Sequence, residues 1–352
     1  MRQYHYSRYV VLGVICAAAI ISIACYQITR HGLGDPRRYE NRGFFSVAWN
    51  PNGKEIAVGG AQGVFLFDED LHQTAHFEPL YSGVQDKIYS VAWHPSGTLL
   101  AGDTGNGYIV FVDPNKSQID HLSIGSGFAE WSPNGSQLVT MIRTGSSNNE
   151  VSLQTWVLHE TSPSLSATPS VTFSTPLEWV DLALWSPNSN FIASKSNRDG
   201  TISIWDSKTG EHLFSFVHPA NERIGSWISI SWNPDGNLLA STNSDGQIRI
   251  WNITAANTVL SFEEGSEFGA LSIMWSPDGT RLVTANGENV KIWDAISGQL
   301  LNTLNAPHRS IDQAIWSPDS RKISALGTIQ EETRATIWVW DASTGRLLAT
   351  AH

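Results

Sequence analysis

Cysteine is nearly absent from this chain: the only two, Cys16 and Cys25, lie in an N-terminal apolar stretch, so residues 43–352 can hold no disulfide. That excludes a disulfide-stapled fold and leaves the compartment open, since a reducing cytosol and an exported domain with enough core both satisfy it. Positive charge is scarce too. The chain has 22 Lys and Arg against 33 Asp and Glu, a formal net charge of −11, and residues 43–352 alone carry 16 against 31, or −15. Such a surface repels phosphate backbones and anionic lipid, which argues against nucleic acid as a partner. Also missing are the G-x-S-x-G, G-x-G-x-x-G, phosphate-loop, HExxH and EF-hand patterns, so no common hydrolase, nucleotide or metal chemistry announces itself. No cofactor, metal or catalytic residue is expected.

Residues 9–29 carry no charge over 21 positions, close to the roughly 20 apolar residues that span a bilayer and above the 7–15 of a signal-peptide core. Arg2 and Arg8 precede the stretch and Arg30, Arg37, Arg38 and Arg42 follow it, so the charge rule leaves orientation open. The short leader favours insertion that leaves the rest of the chain outside the cytoplasm; the reversed topology is the alternative. Ile21-Ser22-Ile23-Ala24-Cys25 resembles a bacterial lipoprotein cleavage box with Ser22 in the place usually held by leucine, and Cys25 reads more simply as a small membrane residue. Residues 1–30 are thus assigned to a membrane anchor or signal segment, 31–42 to a tether, and 43–352 to one repeat domain.

One phrase recurs through that domain. It starts at Trp49 (WNPNG), Trp93 (WHPSG), Trp131 (WSPNG), Trp185 (WSPNS), Trp232 (WNPDG), Trp275 (WSPDG) and Trp316 (WSPDS), at intervals of 38 to 54 residues. Pro277 presets φ, Asp278 can bond the nearby backbone, and Gly279 accepts the left-handed conformation, so each copy reads as a hairpin turn. Ser189 and Ser320 stand where glycine is expected, which predicts looser or differently wound hairpins there. In the fifth copy Ile228, Ile230 and Trp232 alternate with Ser229 and Ser231, and three further short runs follow, the third strand being Ile248 to Trp251. Four short strands of period two result. One such sheet cannot cover its own faces, whereas seven arranged radially can, with the tryptophans as wedges between them. The predicted fold is therefore all-β: a seven-bladed β-propeller of four-stranded antiparallel blades, preceded by one N-terminal transmembrane or signal helix.

The run Trp-Ser-Pro-Asp-Gly, Leu-Ala-Ser, an Asp-Gly turn and Ile-x-Ile-Trp-Asp resembles the WD40 repeat, over about residues 43–352. The resemblance implies a docking platform that binds proteins through one flat face or its central opening. It also implies a buried hydrogen-bonded tetrad of His, Ser/Thr, Asp and Trp. The matches are Ser194, Asp199 and Trp205 in the fourth unit and Ser241, Asp245 and Trp251 in the fifth. The family's Gly-His pair is missing throughout, although His308 stands near its offset. Many members close the ring by borrowing an outer strand from the N-terminus. Here residues 346–350 already supply one, so closure without strand exchange is expected.

Two stretches lengthen the third unit, residues 143–150 and the Ser/Thr/Pro-rich 160–176, and both read as extra loop. His72 and His76 would lie about 13 Å apart on a strand, too far for one metal ion, and Asp68-Glu69-Asp70 reads as a solvated turn. The loop 218–227 mixes an acid, a base and an aromatic, which makes Glu222, Arg223 and Trp227, together with Arg143, the candidate partner contacts. The functional expectation is a membrane-tethered, non-enzymatic, monomeric propeller that binds protein. The alternative is a propeller enzyme, or a small-molecule or metal sensor, with its site at the central channel.

Overall fold

The computed structural model describes residues 44–81, 84–85, 87–143, 151–161, 164–173, 180–196, 199–218, 228–243, 246–266, 269–306, 309–329 and 335–351. The apolar stretch 9–29 and the tether lie outside the described residues, among which no helix is long and apolar enough to cross a membrane.

The tryptophan phrase turns the chain by local chemistry. In each copy the N–H of the fourth turn residue bonds the carbonyl of the first, as from Gly236 to Asn233 and from Gly279 to Ser276, both 2.9 Å, with φ of 69° and 73° at the glycines. Asp278 Oδ1 accepts the Thr280 N–H at 3.0 Å and the Ser276 hydroxyl at 2.6 Å. Ser189 and Ser320 both take φ 60° and close the same bond at 2.8 and 2.9 Å. The expectation of looser hairpins is thus corrected: serine enters the left-handed conformation and the turn keeps its winding. At Ser320 the side chain adds a tie, since its Oγ accepts the Asp278 N–H of the preceding blade at 3.1 Å.

These turns generate seven antiparallel sheets, each with its four strands in simple consecutive order. The blades comprise residues 44–77, 90–122, 126–172, 182–217, 228–263, 272–305 and 309–351. Because each blade is a meander, the blade-to-blade connections and second turns lie at one end of the ring, the tryptophan turns and third turns at the other.

The core lies between blades. Trp49, Trp93, Trp131, Trp232 and Trp316 are fully buried, and the ring N–H of Trp93, Trp131 and Trp232 donates to the carbonyls of Ala48, Ala92 and Leu184 in the blade before. The alternating serines have a related task. Ser229 Oγ accepts the Ile273 N–H at 3.1 Å and Ser231 Oγ the Trp275 N–H at 2.9 Å, tying neighbouring innermost strands. At the tryptophan-turn end, Asn50 Nδ2 donates to Gly97 O at 3.0 Å, and Arg281 Nη2 to Ser320 O at 2.9 Å while its guanidinium covers Trp316. The aspartate after the third strand closes the next turn: Asp206 Oδ1 accepts the N–H of Lys208 and of Thr209, and those bonds hold its carboxyl below the usual range.

Blade 7 is completed by its own outer strand, Leu347–Ala351, paired to Ala335–Asp341. One apolar cluster joins Val47 and Trp49 of blade 1 to Trp316 and Trp338 of blade 7, and Lys322 meets Glu69 across the same seam at 2.7 Å. Residues 36–42, which strand exchange would have used, lie outside the described residues.

Blade 3 departs from expectation. Much of what reads as extra loop is sheet: Val151–Thr161 pairs with Ser164–Thr172 in a ribbon running well past Trp156. Trp156, Leu158, Leu165 and Ala167 of the ribbon pack against the blade 2–3 cluster. Ser166, Thr168, Ser170 and Thr172 of its outer strand are exposed, which is why the composition resembles a loop.

Candidate functional site

At the end of the ring opposite the tryptophan turns, the junction of blades 4 and 5 brings two of the sequence candidates together, Ser241 and Trp251. The outer strand of blade 4, His212–Val217, delivers His218 into the interior, where the His218 N–H bonds Gly200 O at 2.9 Å and the side chain is fully buried. Its Nε2 lies 2.6 Å from Ser241 Oγ, and Trp251 Nε1 donates to the same oxygen at 2.6 Å. The His218 ring stands edge-on to Trp251 at 5.7 Å, Phe216 stacks on the indole at 4.4 Å, and Arg249 Nη1 is 2.5 Å from His218 Nδ1. Ser241 and Trp251 are therefore joined through a histidine that the Gly-His pattern does not find. Asp245 and His308 lie outside the described residues.

In blade 4, Trp205 Nε1 donates to Ser194 Oγ at 2.9 Å, whereas Asp199 is exposed and accepts the Thr201 N–H at 3.0 Å, so it closes its own turn. The buried ring nearest the pair is Phe173, edge-on to Trp205 at 5.8 Å. Two further pairs went unrecognised in the sequence. Trp156 Nε1 donates to Thr140 Oγ1 and Trp293 Nε1 to Thr284 Oγ1, both at 2.9 Å, and Thr140 passes its own hydrogen to Ile124 O at 2.6 Å.

Blade 6 fills the histidine position differently. Glu264, the residue after its neighbour's outer strand, bonds Gly246 O through its N–H at 2.7 Å, as His218 bonds Gly200. Its carboxylate, fully buried, accepts Lys291 Nζ at 2.9 Å, Asn286 Nδ2 at 3.0 Å and the Ser266 N–H at 3.0 Å, and Lys291 also donates to Glu264 O at 2.7 Å.

Two other buried ionisable groups lie in blades 3 and 4. Lys195, on the face of blade 4 turned toward blade 5, has its amine pulled down to about 7 by burial, with Asp181 opposing. Glu130, on the innermost strand of blade 3, is buried with no partner for Oε2 among the described residues, and desolvation pushes its carboxyl well above the ordinary range. A folded-state pKa above the unfolded one stabilises fully at low pH and is lost as pH rises from the ordinary carboxylate range through the folded value. Glu130 should lower stability in that window by about 1.4 kcal/mol per pH unit, and Glu130→Gln should remove that share of the slope, while Lys195 adds a share of opposite sign above about pH 7 in both proteins. Urea midpoints measured from pH 5 to 8 check this; parallel curves for the two proteins would refute it.

Of the contact candidates, Glu222, Arg223 and Trp227 lie outside the described residues, in the connection that His218 opens. Arg143 ends the second strand of blade 3, opposite Val151. The acidic run 68–70 closes a turn of its own, in which Asp68 Oδ1 accepts the N–H of Asp70 and of His72, and His76 stacks on Phe65 at 4.2 Å. Among the described residues no group of three or more His, Cys, Asp or Glu is placed to hold a metal.

With the seven blades and the His-Ser-Trp network in place, the comparisons with known proteins fall into order. Residues 77–113 match the family model "WD domain, G-beta repeat", and residues 129–308, just over half of the chain, match that of "Eukaryotic translation initiation factor eIF2A". The chain belongs to the WD40-repeat and eIF2A propeller family. Among its relatives, WD repeat-containing protein 1 of Gallus gallus is 35% identical over 95 residues, 27% of this chain and 15% of that one. Protein tipD of Dictyostelium discoideum is 39% identical over 72 residues, 20% of this chain and 12% of its own. Nuclear distribution protein nudF of Emericella nidulans is 26% identical over 186 residues, 46% of this chain and 39% of its own. The chain thus spans a minor part of the curated relatives it matches. WD40 propellers generally bind protein partners, and the blade 4–5 network bears on how rigidly this one presents its face. Ser241→Ala would strip Trp251 and His218 of a shared partner and should cost about 1–3 kcal/mol, the desolvation penalty of an unmade buried bond. Ser194→Ala, which deprives only Trp205, should cost less; equal shifts in thermal midpoint would contradict the shared role.

Proposed function

We propose that this propeller is a membrane-tethered, non-enzymatic docking platform whose protein partner seats on the end face at blades 4 and 5. The observation that carries the reading is His218, buried and held by Ser241 beside Trp251, because it fixes the root of the connection bearing Glu222, Arg223 and Trp227. The opposite end supports the choice of face, since its turns are tied to one another from blade to blade. The non-enzymatic part rests on how the buried polar groups at the junctions are used: Ser241, Thr284, Glu264 and Lys291 bond neighbouring rings and backbone. Membrane attachment rests on the uncharged residues 9–29, and an extracytoplasmic ring is the orientation proposed with it. The family model's title concerns translation initiation; a ring of net charge −15 repels phosphate backbones, so nucleic acid has no part in this reading.

The test is crosslinking in intact cells with Glu222, Arg223 and Trp227 changed together to alanine. Neighbours crosslinked to the native chain should be lost while the thermal midpoint stays put. Undiminished crosslinks would move the contact elsewhere. Protease added to intact cells should cut the ring; protection that ends only on permeabilisation would reverse the orientation.

A further inference from the structure

Among the described residues, the large aliphatic side chains left exposed are unevenly shared around the ring. Leu213, Val217, Val259, Ile296, Leu300, Leu301, Leu347 and Leu348 all belong to blades 4–7, on the outer strands or the turns that lead into them. The densest group is on blades 6 and 7. Ile296 is 86% exposed, Leu300 and Leu301 about half, and Leu347 and Leu348 48% and 40%. The outer strands that bear them, LLNTLN and LLATA, contain no charged residue in a domain that is otherwise strongly acidic. Sheet edges of this kind are normally blunted by charge or proline, because an uncharged apolar edge invites contact. The two blades meet at the turn before the second of these strands. A Cβ placed on Gly345 would come within 2.9 Å of Asn302 Nδ2 and 3.2 Å of Leu304, so the turn leading into Leu347 lies on the outer strand of blade 6. Exposed Arg321 and Arg346 flank it.

We propose that this rim of blades 6 and 7 is a membrane-contact surface, resting in the interfacial layer of the bilayer; the inference depends on residues 9–29 being a membrane anchor. Three observations select lipid as the occupant. Ring closure sets blade 7 directly beside blade 1, where the described chain starts at Phe44. Residues 30–43 can extend at most about 50 Å, which holds an anchored ring close to the bilayer and brings the near rim within reach. The patch is aliphatic, uncharged along its strands and edged by charges of both signs, Arg321 and Arg346 beside Asp294 and Asp341, so its apolar part can enter a zwitterionic headgroup layer. A flat surface can touch only neighbouring blades of a ring, so blades 6 and 7 make this contact and the remaining aliphatics of blades 4 and 5 do not.

The full-length chain with Cys16→Ser and Cys25→Ser, carrying Leu301→Cys, Leu348→Cys or, on the blade 1 outer strand, Thr74→Cys, would be labelled with a fluorophore and reconstituted in phosphatidylcholine vesicles containing brominated lipid. A fourth preparation keeps Cys16 as its only cysteine and reports the anchor. Labels at 301 and 348 should be quenched several-fold more than the label at 74. Quenching at Cys16 with all three ring labels alike would leave the anchor standing and overturn the rim contact. No quenching at Cys16 would overturn both. Energy transfer between 301-labelled copies, without lipid quenching, would assign the rim to a second copy and equally overturn the proposal.

Discussion

Lys291→Met should destabilise the ring by about 3–5 kcal/mol, because it leaves the Glu264 carboxylate buried without its cation. Glu264 is 2% exposed, and Lys291 is the only cationic side chain bonded to it among the described residues. Asn286 and the Ser266 N–H would still donate to the carboxylate, which limits the loss. The pair itself is worth far less than the cost of halving it, since desolvating two charges consumes most of their attraction. The double variant Glu264→Gln, Lys291→Met should therefore recover most of the stability, because glutamine keeps an acceptor for Asn286 and methionine retains the packing over Trp293. A double-mutant cycle on urea midpoints reads the coupling. If the double variant is as unstable as the single one, Glu264 is not the reason for the loss.

That network shows where sequence reasoning stops. The hairpin phrase was legible because Pro, Asn or Asp and Gly act on their own backbone, and Asp278 and Gly279 do here what their chemistry dictates. The Ser194–Trp205 and Ser241–Trp251 pairs were legible as well, since both members of each pair lie on adjoining antiparallel strands of one blade. His218 and Glu264 were not, because each crosses from the previous blade through a connection of variable length. Arg249 follows His218 by 31 residues, yet Lys291 follows Glu264 by 27. No fixed offset covers both, and the shared signal is only that each is the first residue after an outer strand. Glu130 was missed for another reason: an acid on a strand reads as solvent-facing unless the neighbouring blade that buries it is known. The blade 3 ribbon was hidden by composition, because Ser, Thr and Pro on an outer strand satisfy solvent as well as they would in a loop. The local half of the architecture is thus written in short spacings, and the part that joins one blade to the next is written in contacts that spacing does not preserve.

Trp232→Ala is expected to remove about 3–5 kcal/mol, the range for deleting a fully buried tryptophan. Its side chain is fully buried, packs with Leu184, Leu239 and Ile253, and donates to Leu184 O at 3.3 Å. The cavity would open between blades 4 and 5, in the cluster that also holds Phe216 and Trp251. In an open solenoid such a lesion weakens one interface and the array can fray from there. A closed ring has no free end, and the seam between blades 7 and 1 is sealed by its own cluster and by Lys322–Glu69. The rest of the circle therefore limits how far blades 4 and 5 can separate, and unfolding should remain a single transition, with a lower urea midpoint and an unchanged slope. Adding Lys322→Ala should cost little by itself, since that pair is partly exposed. If the Trp232→Ala protein instead melts in two steps, the ring does not act as one cooperative unit, and a partner seated on its end face would sense blades 4 and 5 apart from the others.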